Sequence, residues 1–171
     1  MLRVANWIQN RDITTFFILN RSFKNRLTDY LMPIITYFGG AVWSIALSLV
    51  FLLNKNSLWH QTGVHLTTSL IISHLAVQLG KRLLPRRRPY QALQNVFTSQ
   101  KLYMDASFPS GHSTASFCTA TVFSSILPGL SILFFMFASL IAVSRVYLGM
   151  HYPSDIAVGA LLGVVTALFM S

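Results

Sequence analysis

Five runs of predominantly apolar residues, each 17 to 25 residues long, constrain the fold of this chain more than any other feature. A helix needs about 20 such residues to cross the hydrocarbon core of a bilayer, and fewer when protein shelters its ends. The runs are residues 29–53, 58–80, 110–127, 131–148 and 154–170, the first interrupted by Gly39 and Gly40. Because backbone polar groups in lipid must be satisfied internally, we predict an all-α, polytopic membrane bundle of about five transmembrane helices.

The composition supports a membrane protein and argues against a soluble nucleic-acid-binding domain. Hydrophobic residues make up 53% of the chain and charged residues only 10%, too few for the surface of an ordinary soluble domain. The net charge of +9 therefore points to lipid head groups or anionic substrates at the bilayer surface. No hydrophilic linker divides the chain, so residues 1–171 are predicted to form one domain.

Ahead of the first apolar run, residues 3–27 mix aromatic and aliphatic side chains with five cations. This mixture is typical of an amphipathic segment that lies in the membrane interface with its cations towards the head groups. We therefore expect residues 1–28 to form an interfacial segment and residues 29–171 to form the transmembrane bundle. A mobile basic tail is the alternative interpretation.

Three polar clusters, at residues 81–89, 109–112 and 144–155, are expected to share one side of the membrane. Successive transmembrane helices place their connections on alternating sides. With five spans, the N-terminus and the connections at 81–109 and 145–153 fall on the same side. Residues far apart in the sequence can therefore form one site.

The first cluster, "KRLLPRRRP" at residues 81–89, offers donors for an anion. The point charge of Lys81 and the planar fork of Arg88 both suit the oxygens of a phosphate. Polar side chains near the same helical face precede Lys81: Thr67, His74 and Gln78. Cations also anchor helix ends at the interface, and this is the interpretation that we favour for the remaining arginines: Arg82, Arg86 and Arg87.

The second cluster, "PSGH" at residues 109–112, stands where the third apolar run begins. A helix N-terminus presents unpaired N–H groups and the positive end of the helix dipole, so it binds anions readily. Gly111 lets the backbone approach a ligand closely. Alternatively, Ser110 is only a helix cap and His112 only a hydrogen-bonding residue at the interface.

The third cluster, "SRVYLGMHYPSD" at residues 144–155, contains a histidine and an acid four residues apart. Asp155 is expected near the edge of the hydrocarbon, where an unpaired carboxylate is costly, so it needs a partner. The local candidates are His151 and Arg145. A carboxylate beside an imidazole fixes its tautomer and supports its positive charge. A purely structural His–Asp pair is the alternative.

Together, the clusters place two histidines, one carboxylate and three cations beside a helix N-terminus. This set suits phosphoryl transfer, in which cations hold the phosphate oxygens, one histidine attacks and the other protonates the leaving oxygen. The sequence contains no tight set of His, Cys and carboxylate ligands, so we predict neither a metal nor another cofactor.

The motifs stand in this sequence as Lys81-x6-Arg88-Pro89, Pro109-Ser110-Gly111-His112 and Ser144-Arg145-x5-His151-x3-Asp155. In type, order and spacing, they resemble the three signature motifs of the type 2 phosphatidic acid phosphatase superfamily. That superfamily includes membrane lipid phosphatases, soluble acid phosphatases and vanadium haloperoxidases. The short chain is most similar to the compact bacterial membrane members.

The resemblance implies a role for each matching residue. His151 would be the nucleophile that forms a phosphohistidine, and Asp155 would orient it. His112 would protonate the leaving oxygen and then activate water. Five residues would hold the phosphate: Lys81, Arg88, Ser110, Gly111 and Arg145. The reaction would need no metal, and the substrate would be phosphatidylglycerophosphate, undecaprenyl diphosphate or phosphatidate.

Two functional alternatives use the same residues. A lipid phosphotransferase would pass the phosphoryl group to an acceptor other than water, and a non-catalytic protein would bind or transport lipid phosphates. The side of the membrane is also open. Every cation except Lys55 falls on the catalytic face, which the positive-inside rule turns towards the cytoplasm, whereas many bacterial members of the superfamily act outside it. Nothing in the sequence indicates an oligomeric state.

Overall fold

The computed structural model describes residues 2–98 and 102–171, which form helices joined by short connections. The helices are α1 (Leu2–Phe17), α2 (Arg26–Tyr37), α3 (Ala41–Leu52), α4 (Ser57–Leu83), α5 (Pro89–Ala92), α6 (Gly111–Ile126), α7 (Ser131–Tyr147) and α8 (Pro153–Phe169). A π-helical turn, Ile18–Ser22, follows α1, and a 3-10 turn, Pro128–Leu130, precedes α7. No strand occurs in these two ranges, so the predicted all-α fold is confirmed for them.

The apolar runs of the sequence become α2 with α3, then α4, α6, α7 and α8. The helical stretch Pro128–Tyr147 is long and apolar enough to cross a membrane alone. Helices α2 and α3 are long and apolar enough only when they are taken together as one span, and the chain bends by 49° between them. By length and composition, the described residues therefore contain one or two membrane spans, whereas the sequence predicted five. The difference arises because α6 and α8 have only 16 and 17 residues, while the 27 residues of α4 include many polar side chains.

The N-terminal segment is a helix docked on the bundle. Phe16 and Asn20 are fully buried, and Asp12 is 7% exposed. Asn20 Nδ2 donates to the carbonyl oxygen of Tyr147 at 2.7 Å, which ties the turn after α1 to the end of α7. Arg11 lies on the exposed side of the helix. These contacts exclude a mobile tail for the side chains that the structure describes, which begin at Gln9.

Helices α6 and α8 pack closely because α8 presents glycines at positions 159 and 163. A Cβ on Gly159 would lie 2.6 Å from the carbonyl oxygen of Ser110, and one on Gly163 would overlap the carbonyl oxygen of Thr114. Small residues four apart let two helical backbones approach each other in this way. The contact fixes the start of α6 against the start of α8, where the second and third polar clusters lie.

We expect Gly163→Ala to lower the free energy of unfolding by about 2 kcal/mol, because the added methyl group forces α6 and α8 apart. Gly129→Ala is the matched control, since a Cβ at Gly129 meets nothing within 4 Å. Thermal unfolding of both variants in detergent measures the difference. Equal stability of the two variants would contradict the close packing of α6 on α8.

Candidate active site

A cavity of about 590 Å³ opens among α3, α4 and α6 and extends to the connections before α6 and α8. Six of the residues predicted for the site line this cavity: Lys81, Arg88, Gly111, His112, Arg145 and His151. The structure therefore brings residues from all three clusters to one place. The remaining two predicted residues, Ser110 and Asp155, lie behind the cavity wall and are fully buried.

The turn between α7 and α8 places His151 in the cavity wall. Gly149 has a φ of 74°, a left-handed conformation that favours glycine, and this lets the chain reverse tightly after α7. The carbonyl oxygen of Arg145 accepts hydrogen bonds from the backbone N–H groups of Met150 at 2.9 Å and His151 at 3.3 Å. The imidazole is held firmly as a result, with only 2% of the residue exposed.

The contacts of His151 fix its tautomer. Arg88 Nη1 lies 3.2 Å from His151 Nε2. A guanidinium can only donate, so Nε2 must accept with its lone pair and the ring hydrogen belongs on Nδ1. Burial, together with the charges of Arg145 and Arg88, lowers the pKa of His151 to about 4 against the opposing attraction of Asp155. The imidazole is therefore neutral at pH 7, and its Nε2 lone pair is directed at Arg88.

Asp155 supports His151 through a serine that the sequence did not single out. Ser107 Oγ donates to Asp155 Oδ2 at 2.5 Å and lies 3.4 Å from His151 Nδ1. The direct distance from His151 Nδ1 to Asp155 Oδ2 is 3.7 Å, which exceeds hydrogen-bond range. The expected partnership of the two residues is therefore mediated by Ser107, whose hydroxyl can accept from Nδ1–H while it donates to the carboxylate.

Three cations form the polar end of the cavity: Lys81, Arg88 and Arg145. Arg88 and Arg145 are 2% and 1% exposed, far from the solvated position of an interfacial anchor. Arg145 Nη1 donates to Thr36 Oγ1 at 2.9 Å, and Arg88 Nη1 donates to the carbonyl oxygen of Met150 at 3.0 Å. Guanidinium groups that are fixed in place by such hydrogen bonds suit the equatorial oxygens of a phosphoryl group.

Asp105 balances part of this charge. Its carboxylate pairs with Lys81 Nζ and accepts from Arg88 Nη2 at 2.7 Å. Burial opposes the ionised form, but the hydrogen bonds from Lys81 and Arg88 prevail and lower the pKa of Asp105 to about 2. The carboxylate is thus ionised at pH 7, and an incoming phosphate must compete with it for the two cations.

The start of α6 contributes a backbone and a histidine. Ser110 is the N-cap, and its hydroxyl accepts from the N–H of Ser113 at 3.4 Å. This position matches the helix-cap alternative and places the hydroxyl outside the cavity lining. Gly111 and His112 do line the cavity, and His112 sits against the α2–α3 break, where a Cβ on Gly40 would lie 3.7 Å from His112 Nε2.

Arg86 is part of a buried ion-pair network, so its interpretation as an interfacial anchor was wrong. Its guanidinium donates to Asp155 Oδ1 at 2.8 Å and to Asp12 Oδ2 at 2.7 Å. Asp12 also accepts from the hydroxyl of Ser154 at 2.6 Å. The network links α1, the loop before α5 and the start of α8, and it supplies the charge partner that Asp155 needs. Arg87 is exposed, as an anchor would be.

We expect Arg86→Ala to lower the free energy of unfolding by about 2 kcal/mol or more, because two buried carboxylates lose their cation. Arg87→Ala, which removes the same charge from the exposed neighbour, should change it by less than about 0.5 kcal/mol. Thermal unfolding in detergent compares the two. If Arg87→Ala is the more damaging change, the network does not hold the fold.

Comparisons with known proteins agree with this site. The sequence model of the PAP2 superfamily matches residues 62–171, which contain all three clusters. The chain is 28% identical over 153 residues to an undecaprenyl-diphosphatase of Sulfolobus acidocaldarius, covering 89% of this chain and 73% of that protein. It is also 28% identical over 152 residues to a lipid A 1-phosphatase of Rhizobium etli, covering 78% of this chain and 66% of that protein.

The fold has a solved counterpart as well. The crystal structure of LpxE from Aquifex aeolicus matches with a TM-score of 0.83 at 25% sequence identity, covering 92% of this chain and 93% of that chain. The resemblance inferred from the three motifs is thereby confirmed, and the chain belongs to the PAP2 superfamily.

Proposed function

We propose that this protein is a metal-independent membrane lipid phosphatase that hydrolyses a lipid phosphomonoester or diphosphate through a phosphohistidine. One observation carries the proposal. The lone pair of a neutral His151 faces Arg88 in a cavity that also contains His112, Lys81 and Arg145. A nucleophile, a second imidazole and three cations at the polar end of one cavity form a phosphoryl-transfer site.

In the first half-reaction, Arg88 Nη1 transfers its hydrogen bond from His151 Nε2 to a phosphoryl oxygen. The freed Nε2 lone pair attacks phosphorus, and the bond to the lipid oxygen breaks. Lys81, Arg88 and Arg145 bind the phosphoryl oxygens. Because these cations are already in place before the reaction, they stabilise the negative charge on the oxygens in the transition state. His112, which carries a proton while the phosphate anion is bound beside it, donates that proton to the departing lipid oxygen. The proton on Nδ1 of His151 stays hydrogen-bonded to Ser107, so Asp155 stabilises the positive charge that forms on the ring.

In the second half-reaction, a water molecule attacks the phosphohistidine. His112, now deprotonated, accepts a proton from the water, and the nitrogen–phosphorus bond breaks. Inorganic phosphate leaves, and both histidines return to their starting states. A phosphotransferase would differ only in the acceptor, so analysis of products with glycerol present would detect it.

We place the five apolar segments across the bilayer, with the catalytic residues at one membrane surface. Large apolar side chains on four of the segments face outwards, as lipid contact requires: Val42 at 85%, Leu79 at 57%, Ile132 at 76% and Leu161 at 64% exposed. Helix α6 is packed against α4, α7 and α8, so its 16 residues are sheltered by protein and need not match the full bilayer thickness. The cavity then runs from the membrane surface into the hydrocarbon, where a lipid can enter sideways.

The test is phosphate release by the purified full chain in detergent with EDTA present. The substrates are phosphatidate, phosphatidylglycerophosphate and undecaprenyl diphosphate. We expect turnover of at least one of them at a rate that EDTA does not change. A rate that EDTA abolishes and a divalent cation restores would contradict the metal-independent mechanism, and no release from any lipid would contradict the phosphatase.

A further inference from the structure

Two polar side chains of α4, Gln78 and His74, line the apolar part of the cavity, further from the phosphate end than Lys81. Gln78 Nε2 lies 3.2 Å from His74 Nε2, and both side chains line the cavity with Lys81. At 1.5 Å of rise per residue, Gln78 and His74 lie about 4.5 Å and about 10 Å from Lys81 along the helix. Their neighbours on this wall of the cavity are apolar, including Ile71 and Leu75.

This pair has unused hydrogen-bonding capacity at a depth where such capacity is costly. Both residues are exposed on the helix surface, and among the described residues neither side chain forms another hydrogen bond. Since the amide nitrogen of Gln78 donates to Nε2 of His74, the second ring nitrogen carries a hydrogen. The pair therefore offers donors from both side chains to an acceptor in the cavity. Polar side chains within a membrane segment are functional-site candidates for this reason.

The charge distribution selects an uncharged acceptor. In the described lining, the cations are Lys81, Arg88 and Arg145, all at the phosphate end, and Asp105 already pairs with two of them. A second phosphate further along the cavity would meet no lysine or arginine in the described lining. An ester carbonyl needs only donors.

We propose that His74 and Gln78 are specificity-determining residues that donate hydrogen bonds to the ester carbonyl groups of a diacylglycerol phosphate. This inference rests on the proposed function, because it assumes that the phosphate binds at Lys81, Arg88 and Arg145. Five bonds separate the phosphorus of such a lipid from the nearest carbonyl carbon, a span of about 6 Å for bonds of about 1.5 Å. The carbonyls thus fall at the level of the pair, whereas a polyprenyl chain carries no oxygen there.

The experiment compares diacylglycerol phosphate with its dialkyl ether analogue, which has the same head group and chain length but no carbonyl groups. With the full-length protein in detergent micelles, we expect kcat/KM to be about tenfold higher for the ester, as two modest hydrogen bonds allow. In the double variant His74→Phe with Gln78→Met, the ratio should fall to about one. Thr67→Val is the matched control, because Thr67 lines the same cavity but its hydroxyl donates to the carbonyl oxygen of Gly63.

Binding of the same two lipids to His151→Ala makes the test independent of turnover. A tenfold preference for the ester in Kd, absent when His74 and Gln78 are also replaced, supports the inference even if no phosphate is released. Equal kcat/KM and equal Kd for the two lipids would overturn it while leaving the phosphatase intact. A preference that survives in the double variant would overturn it too. Faster turnover of undecaprenyl diphosphate than of the ester lipid would indicate that the cavity binds a polyprenyl chain, and it would also overturn the inference.

Discussion

His151→Ala is expected to lower kcat for lipid phosphate hydrolysis by at least about 10³-fold, the largest loss of any single change, because it removes the nucleophile. The imidazole lines the cavity, and its replacement leaves the backbone hydrogen bond from His151 to Arg145 in place, so the variant should fold. Phosphate release is measured in detergent with substrate well above KM.

His60→Ala is the matched control for this variant. His60 lies in the first turn of α4, at the opposite end of that helix from Lys81, where its Nδ1 is 2.7 Å from the carbonyl oxygen of Leu52. Its replacement should leave kcat within about twofold, as for a surface change outside the site. If His151→Ala retains more than a tenth of the activity, another group is the nucleophile.

Asp155→Asn is expected to lower both activity and stability. The carboxylate is fully buried and accepts three hydrogen bonds, from Ser107 Oγ at 2.5 Å, from the backbone N–H of Tyr152 at 2.9 Å and from Arg86 at 2.8 Å. An amide has one oxygen, so in either orientation its NH₂ group faces a donor. We expect unfolding to become easier by about 3 kcal/mol and kcat to fall by about 10²-fold or more.

Asp29→Asn is the control for the loss of a carboxylate. Asp29 accepts a hydrogen bond of 2.5 Å from the hydroxyl of Tyr147, which an amide oxygen can still accept. That variant should remain active and lose less than about 1 kcal/mol of stability. A folded Asp155→Asn protein with unchanged kcat would show that Asp155 serves only the structure. A selective loss of kcat with an unchanged KM would support its role in positioning His151.

The helices and the motif residues could be predicted because each is determined by a short, continuous stretch of the sequence. An apolar run of 17 to 25 residues predicts a helix, because buried strands are much shorter, and the break at Gly39 and Gly40 is visible in the sequence. Lys81, Arg88 and His151 stand in short motifs that can be read directly from the sequence. The cavity brings residues of all three motifs together, as the sequence analysis expected.

The supporting residues could not be predicted, because their roles depend on contacts between distant segments. Asp12 lies 74 residues from Arg86, and Arg86 lies 69 residues from Asp155. An arginine in a run of cations beside a helix end has the same local pattern whether it faces lipid head groups or a buried carboxylate. The only signal was the cost of leaving Asp155 unpaired, and it pointed to the nearer candidates His151 and Arg145.

Ser107 shows the same limit at shorter range. Its hydroxyl precedes the motif "PSGH" by only two residues, but a serine in a loop has no pattern that distinguishes a buried relay from a solvated turn. The fold buries it completely between Asp155 and His151. Conversely, the motif alone did not separate phosphate binding by Ser110 from helix capping, because both use the same hydroxyl at the same helix end.

Trapping the covalent intermediate tests the phosphohistidine mechanism most directly. The full chain in detergent with EDTA is mixed with diacylglycerol phosphate labelled at phosphorus, quenched with alkali within the first turnover, and digested. We expect a label on the peptide containing His151 that is stable to alkali, released by acid, and absent from His151→Ala. A label that stays on the protein after His151 is replaced, or rapid turnover with no label on the wild-type protein, would contradict it.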